Sequence, residues 1–150
     1  MKIELVRDTR EKLPLDFSRE GFSFTVIDEG LSFGDYCLRI DGNLIFCIES
    51  KNPGDLISTI QSGHDRFKAE ILRAKTANIP LLVAIEDSYS NVIFGGLTDS
   101  PLKIQKIIHT IMIKYNTPFY FFKNRQEMTN FIIAHCEAYI RNLNYIIKNM

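Results

Sequence analysis

The sequence predicts an α/β protein with a mixed central sheet and helices on both faces. Three observations carry that expectation. Segments that alternate apolar and polar residues crowd the first third of the chain, and after Asn52-Pro53 the period becomes helical. A continuous apolar run, Leu81-Leu82-Val83-Ala84-Ile85, then interrupts the helices. Alternation marks half-buried strands, a 3.6-residue period marks helices, and a short unbroken apolar run marks a strand buried on both faces. A chain of 150 residues is expected to form one domain over 1–150 with a full core.

In order, residues 2–7 alternate like a strand. Residues 12–21 hold Pro14 and Gly21 and read as a loop, Phe22 to Ile27 as a second strand, and Glu29-Gly30 as a turn. Residues 34–40 and 44–50 flank Asp41-Gly42-Asn43, a strong hairpin signal. Leu56, Ile57 and Ile60 define a helix that stops near Gly63, and Phe67, Ile71 and Ala74 a second that ends before Pro80. The apolar strand 81–85 follows. Ser100-Pro101 opens a helix marked by Ile104, Ile107, Ile108 and Ile111. Pro118 to Phe122 is a short aromatic strand, and one long amphipathic helix runs from Asn124 or Arg125 to about Ile147.

Composition excludes several classes. Formal net charge is zero, so the protein has no global attraction to nucleic acid, and any such binding comes from a local basic patch or a bound metal. The charged, alternating N-terminus is no signal peptide, and no stretch approaches the ~20 apolar residues of a membrane span, so a cytoplasmic protein without a membrane partner is expected. Cys37, Cys47 and Cys136 form no C-x-x-C, which argues against a zinc site or a disulfide framework.

The chemistry concentrates in the hairpin. A three-residue loop pairs Ile40 with Leu44 and sets Asp35 opposite Glu49. Tyr36, Leu38, Ile40, Leu44, Phe46 and Ile48 then share one face, and Asp35, Cys37, Arg39, Ile45, Cys47, Glu49 and Lys51 share the other. A slip by one residue scrambles both sets, so burial favours the register that joins the acids. Cys37 and Cys47 face each other in it, read as buried thiols. Directly opposed Cβ atoms lie ~5 Å apart, so both carboxylates can touch one hard divalent cation, with Asp8 at the end of the first strand as a third oxygen donor. Lys51 beside them can orient water or offset charge on a phosphodiester. Taken alone, Asp35, Glu49 and Lys51 also suit a solvated sheet face with a surface ion pair. Arg66, Arg73, Lys68 and Lys75 suit either a basic flank for phosphates or an ordinary solvated face. Asp55 suits the first turn of a helix, and His64 lies near a helix junction.

Together these residues resemble the XPF-type nuclease domain, a branch of the PD-(D/E)XK restriction-endonuclease-like superfamily. That family's D-x-R-E, GD, E-x-K-x-x-x-D and D-R-F elements are matched in order by Asp8-Thr9-Arg10-Glu11, Gly34-Asp35, Glu49-Ser50-Lys51 with Asp55, and Asp65-Arg66-Phe67. The resemblance covers nearly the whole chain and implies the restriction-endonuclease-like form of the α/β fold. It further implies a Mg²⁺- or Mn²⁺-dependent DNA endonuclease, structure-selective for flaps, forks or branches, in repair or recombination. Asp8, Asp35 and Glu49 are then metal ligands, and Asp35, Glu49 and Lys51 catalytic. Arg10, Glu11, Asp55 and Arg66 support the site or contact DNA, alongside the candidate phosphate contacts His64 and Arg73. DNA is expected to be read by shape, and the late helix, with Phe131, Ile132, Tyr139, Ile140, Leu143, Ile146 and Ile147, is expected to contribute to a homodimer interface. Ser50 stands where the family has arginine, which keeps a non-catalytic DNA-binding or scaffold subunit as an alternative. Another is a restriction- or defence-type nuclease whose partner protein supplies specificity. Relatives continue into tandem helix-hairpin-helix motifs, so a minimal nuclease domain, bacterial or from a phage, is expected.

Overall fold

The computed structural model describes residues 1–17, 25–62 and 64–149. Among them, six strands form one mixed sheet: β1 (Ile3–Asp8), β2 (Thr25–Glu29), β3 (Tyr36–Ile40), β4 (Asn43–Lys51), β5 (Leu81–Ile85) and β6 (Phe119–Phe121). Their order is β2-β1-β3-β4-β5-β6. Strand β3 runs antiparallel to both its neighbours, β1 and β4, while β2 joins β1, β5 joins β4 and β6 joins β5 in parallel. Parallel neighbours need long crossovers. Helices α1 (Pro53–Gln61) and α2 (His64–Thr76) make the crossover from β4 to β5, α3 (Tyr89–Phe94) and α4 (Pro101–Lys114) that from β5 to β6. Helices α5 (Arg125–Arg141) and α6 (Leu143–Lys148) follow β6.

Strand alternation divides the core between the two sheet faces. Val6, Cys37, Cys47, Val83 and Ile85 pack on one face with residues of α1 to α4, among them Leu56, Ile71, Ile93 and Ile108. Leu5, Tyr36, Leu38, Ile48 and Ala84 pack on the other with Met128, Ile132, Ile133 and Cys136 of α5. Leu15 and Phe17 are buried in this second core. The Leu15 N–H donates to the Tyr36 hydroxyl at 2.8 Å, which fastens the segment after β1 across the end of the sheet.

Several expectations are corrected. The hairpin turn has two residues rather than three: Asp41 (φ 48) and Gly42 (φ 83) are both left-handed, as a type I′ turn requires, and Ile40 pairs with Asn43. A bulge at Ile45 then restores the expected pairing for Leu38–Phe46, Cys37–Cys47 and Tyr36–Ile48. It exchanges the faces of Leu44 and Ile45: Leu44 packs with the Cys37 face and Ile45 with the Tyr36 face. Cys37 and Cys47 are joined in a disulfide rather than left as thiols. Their direct cross-strand pairing brings the Cα atoms to 4.1 Å, which puts the two sulfurs within bonding reach. The late helix breaks at Asn142, whose backbone N–H and side-chain amide both turn back to the Ala138 carbonyl, and α6 restarts after it. Helix α3 was not expected. Ser88 caps it by accepting from the Asn91 N–H. The strand expected at Phe22 to Ile27 is described only from Thr25 and extends to Glu29, past the expected turn. Its earlier residues, the end of the loop at Gly21 and the stop at Gly63 lie outside the described residues.

Candidate active site

Asp8, Asp35 and Glu49 stand at one end of the sheet because three neighbouring strands meet there in register. The Asp35 N–H donates to the Ile48 carbonyl at 2.7 Å and the Asp8 N–H to the Asp35 carbonyl at 2.8 Å, so the three segments are pinned through their backbones. Gly34 makes the approach possible. It sits at φ +78, and a Cβ there would lie 3.0 Å from Cys47 Cβ. Only glycine fits both the backbone and the space.

These strand ends line an open cleft of about 720 Å³ together with Arg10, Glu11, Asn52, Asp55, Glu70, Glu86 and Arg125. The Asp35 carboxylate accepts from the Ser50 N–H at 2.8 Å. This contact comes from the backbone, so serine in place of the family's arginine leaves it intact. Glu49 is 8% exposed. Its Oε1 lies 3.5 Å from Lys51 Nζ, and its Oε2 is buried without a hydrogen-bond partner. Lys51 Nζ also lies 5.5 Å from the centre of the Phe67 ring. Burial first, then the charges of Asp35 and Glu70, push the Glu49 carboxyl up to about 9. Burial likewise raises Asp35 to about 7, against the pull of the Ser50 N–H, with Glu11 and Glu70 adding to the rise.

The other expected residues are placed more diversely. Both Asp8 oxygens accept from Arg10, whose guanidinium also donates to the Leu31 carbonyl at 2.5 Å. Those hydrogen bonds hold the Asp8 carboxyl below its ordinary value although its burial acts the other way. Asp55 lies in the first turn of α1, where its N–H donates to the Asn52 cap at 2.8 Å. Arg66 and Arg73 line a neighbouring hollow with Lys51 and Glu70, and the Arg73 Nε donates to the Ser32 carbonyl at 2.9 Å. His64 does not line the acidic cleft and lies on the flank of α2 that faces α4.

Two acids of the cleft were missed. Glu70 accepts from the Gly34 N–H at 3.1 Å. It follows Arg66 by four residues and precedes Arg73 by three, which is one helix face. Glu86 follows β5 directly, at the carboxyl end of a parallel strand where α/β sites gather. It pairs with Arg125, whose other nitrogen donates to the Leu13 carbonyl at 2.5 Å. Among the described residues, no group of three or more carboxylate, histidine or cysteine side chains converges as a ready-made metal cage. A hard cation such as Mg²⁺ needs only one or two carboxylates and keeps its waters. The orphaned Glu49 oxygen and the raised Asp35 and Glu49 carboxyls are the features such a cation would satisfy.

Residues 7–134 match the ERCC4 domain. In solved structures, the fold is similar to XPF from Aeropyrum pernix, with a TM-score of 0.69 at 14% identity over 89% of this chain. It is also similar to XPF from Aeropyrum pernix in complex with DNA, with a TM-score of 0.65 at 15% identity over 90%. This chain spans 65% and 63% of the length of those two chains. No curated protein sequence matches it significantly.

Proposed function

The chain belongs to the ERCC4 domain family, and from that premise we propose that it is a divalent-cation-dependent endonuclease that hydrolyses DNA phosphodiester bonds at the Asp35–Glu49 cleft. The observation that carries this reading is the buried Glu49 carboxylate with one oxygen left unpartnered beside a second buried acid. A structural acid at that depth normally has its hydrogen bonds met, because an unsatisfied buried carboxylate destabilises the fold.

Asp35 and Glu49 would hold Mg²⁺ or Mn²⁺, with Asp8 as a third donor when Arg10 releases it. Bound there, the cation supplies Lewis-acid polarisation of the phosphodiester and stabilises charge developing on it. Lys51, held next to Glu49 and over Phe67, orients the attacking water or offsets charge on the phosphate. Arg10, Arg66 and Arg73 bind the flanking phosphates, contacts that carry no sequence information and suit recognition by shape. Flap, fork or branched DNA met in repair or recombination is therefore the proposed substrate. Tyr145 and Ile147 of α6 are 70% and 61% exposed, which supports pairing of two copies through the late helices. Sedimentation checks that pairing, since a clean monomer would remove it.

Labelled flap, fork, duplex and single-stranded DNA, incubated with the protein with and without Mg²⁺ or Mn²⁺, test the proposal. Nicking is expected only with the cation, and Asp35→Asn should abolish it while circular dichroism stays unchanged. DNA binding without cleavage of any substrate would replace the nuclease by a scaffold.

A further inference from the structure

We propose that the groove between α2 and α4 is a second docking site for the phosphodiester backbone of a DNA duplex, separate from the acidic cleft. Lys68, Lys103, Lys106 and Lys114 are its phosphate contacts. The inference rests on reading the chain as a DNA-cleaving enzyme and adds a place where an arm of the substrate is held.

Lys68 and Glu70 are two residues apart on α2 and so project to opposite flanks of the helix. Glu70 enters the acidic cleft, and Lys68 enters a groove of about 290 Å³ with the three α4 lysines, with His64 beside them and Ile111 on its floor. The charge of the chain is segregated to match. Net charge is zero over 150 residues, yet residues 100–122 hold Lys103, Lys106 and Lys114 and no aspartate or glutamate.

These lysines are not committed to carboxylates, in contrast to several cations elsewhere in the chain. Arg7, Arg10, Arg39, Lys51 and Arg125 each pair with a carboxylate. Among the described residues, Lys68, Lys103, Lys106 and Lys114 form no ion pair, and Lys103, Lys106 and Lys114 are exposed. A polyanion would satisfy all four without breaking an ion pair, although Lys114 Nζ also lies 5.6 Å from the centre of the Tyr115 ring. From Lys103 to Lys114 the α4 axis rises roughly 16 Å, about the length of four to five base pairs, so one groove reaches several phosphates. Lysines act as flexible point charges, which suits contacts that position a duplex without reading its bases.

The test is binding of a labelled blunt duplex in EDTA across a salt series. It compares wild type, a Lys103→Gln/Lys106→Gln/Lys114→Gln variant and a control, Lys2→Gln/Lys123→Gln/Lys148→Gln, which removes equal charge elsewhere. The groove variant should bind roughly tenfold more weakly, with the slope of log affinity against log salt shallower by about 2 to 3. The control should keep most of both. Unchanged binding by the groove variant, an equal loss in the control, or no duplex binding by wild type would overturn the groove. If the groove variant loses affinity as expected while wild type cuts no DNA with Mg²⁺ or Mn²⁺, the groove stands and the nuclease reading falls.

Discussion

Glu4 and Glu49 are buried alike, at 6% and 8% exposure, on the same face of one sheet, and they have opposite fates. Glu4 stands directly across from Arg39, which donates to it at 3.1 Å and also reaches Glu29 at 2.5 Å. That hydrogen bond holds the Glu4 carboxyl below its ordinary value. Glu49 has Asp35 as its neighbour across the hairpin and Glu70 above it, and its carboxyl is driven up to about 9. A cross-strand pair of opposite sign completes itself, whereas a pair of like sign stays incomplete until something positive arrives. The first end of the sheet is built for stability, and the second is left open for a ligand.

The largest expected effect separates the two glutamates by activity. Glu49→Gln should lower DNA cleavage on the order of 10³-fold or more, while Glu4→Gln lowers the melting temperature and leaves cleavage by the folded protein near wild type. Equal losses of cleavage would erase the distinction. Lys51→Met comes next, with a fall of about 10²-fold or more in turnover if its ammonium acts on the water or phosphate. A loss confined to stability would return Lys51 to an ion-pair role.

Gly34→Ala sharpens the comparison through the backbone. The left-handed φ and the close Cys47 Cβ predict a loss of about 1–3 kcal/mol in denaturant unfolding. A neutral result would mean that the Asp35 turn is looser than it looks. The smallest effect is a pH dependence. Folded-state values raised above those of an unfolded carboxyl contribute stability that is present at low pH and lost as pH rises through about 7 for Asp35 and about 9 for Glu49. In EDTA, the melting temperature of Glu49→Gln should therefore exceed wild type at pH 8 by roughly 2–6 °C, a gain of about 0.5–2 kcal/mol that fades towards pH 4. Added Mg²⁺ should raise wild type at pH 8 and leave the variant nearly unmoved.

Much of this was legible in the chain. The hairpin register near the acids follows from the need to bury Tyr36, Leu38, Phe46 and Ile48 on one face, and the Tyr36–Ile48 and Leu38–Phe46 pairs are the ones observed. The turn was misread because Asp41 and Gly42 can both take positive φ, and a bulge at Ile45 absorbs the residue that distinguished the two registers. The disulfide was missed because facing thiols and a bridge have the same sequence signal. Which flank of α2 His64 takes was not legible, because closeness to Arg66 in sequence does not fix it.

The sequence by itself determined most element types, the two-faced core and the pairing of apolar residues along the hairpin, because local periodicity and burial decide those. Only the tertiary structure decided which charges were cancelled. Arg125 reaches Glu86, Glu70 reaches Gly34, and the α4 lysines meet Lys68 through crossovers that no local pattern specifies. Charge acts through space, and the distances that set it exist only once the chain has folded.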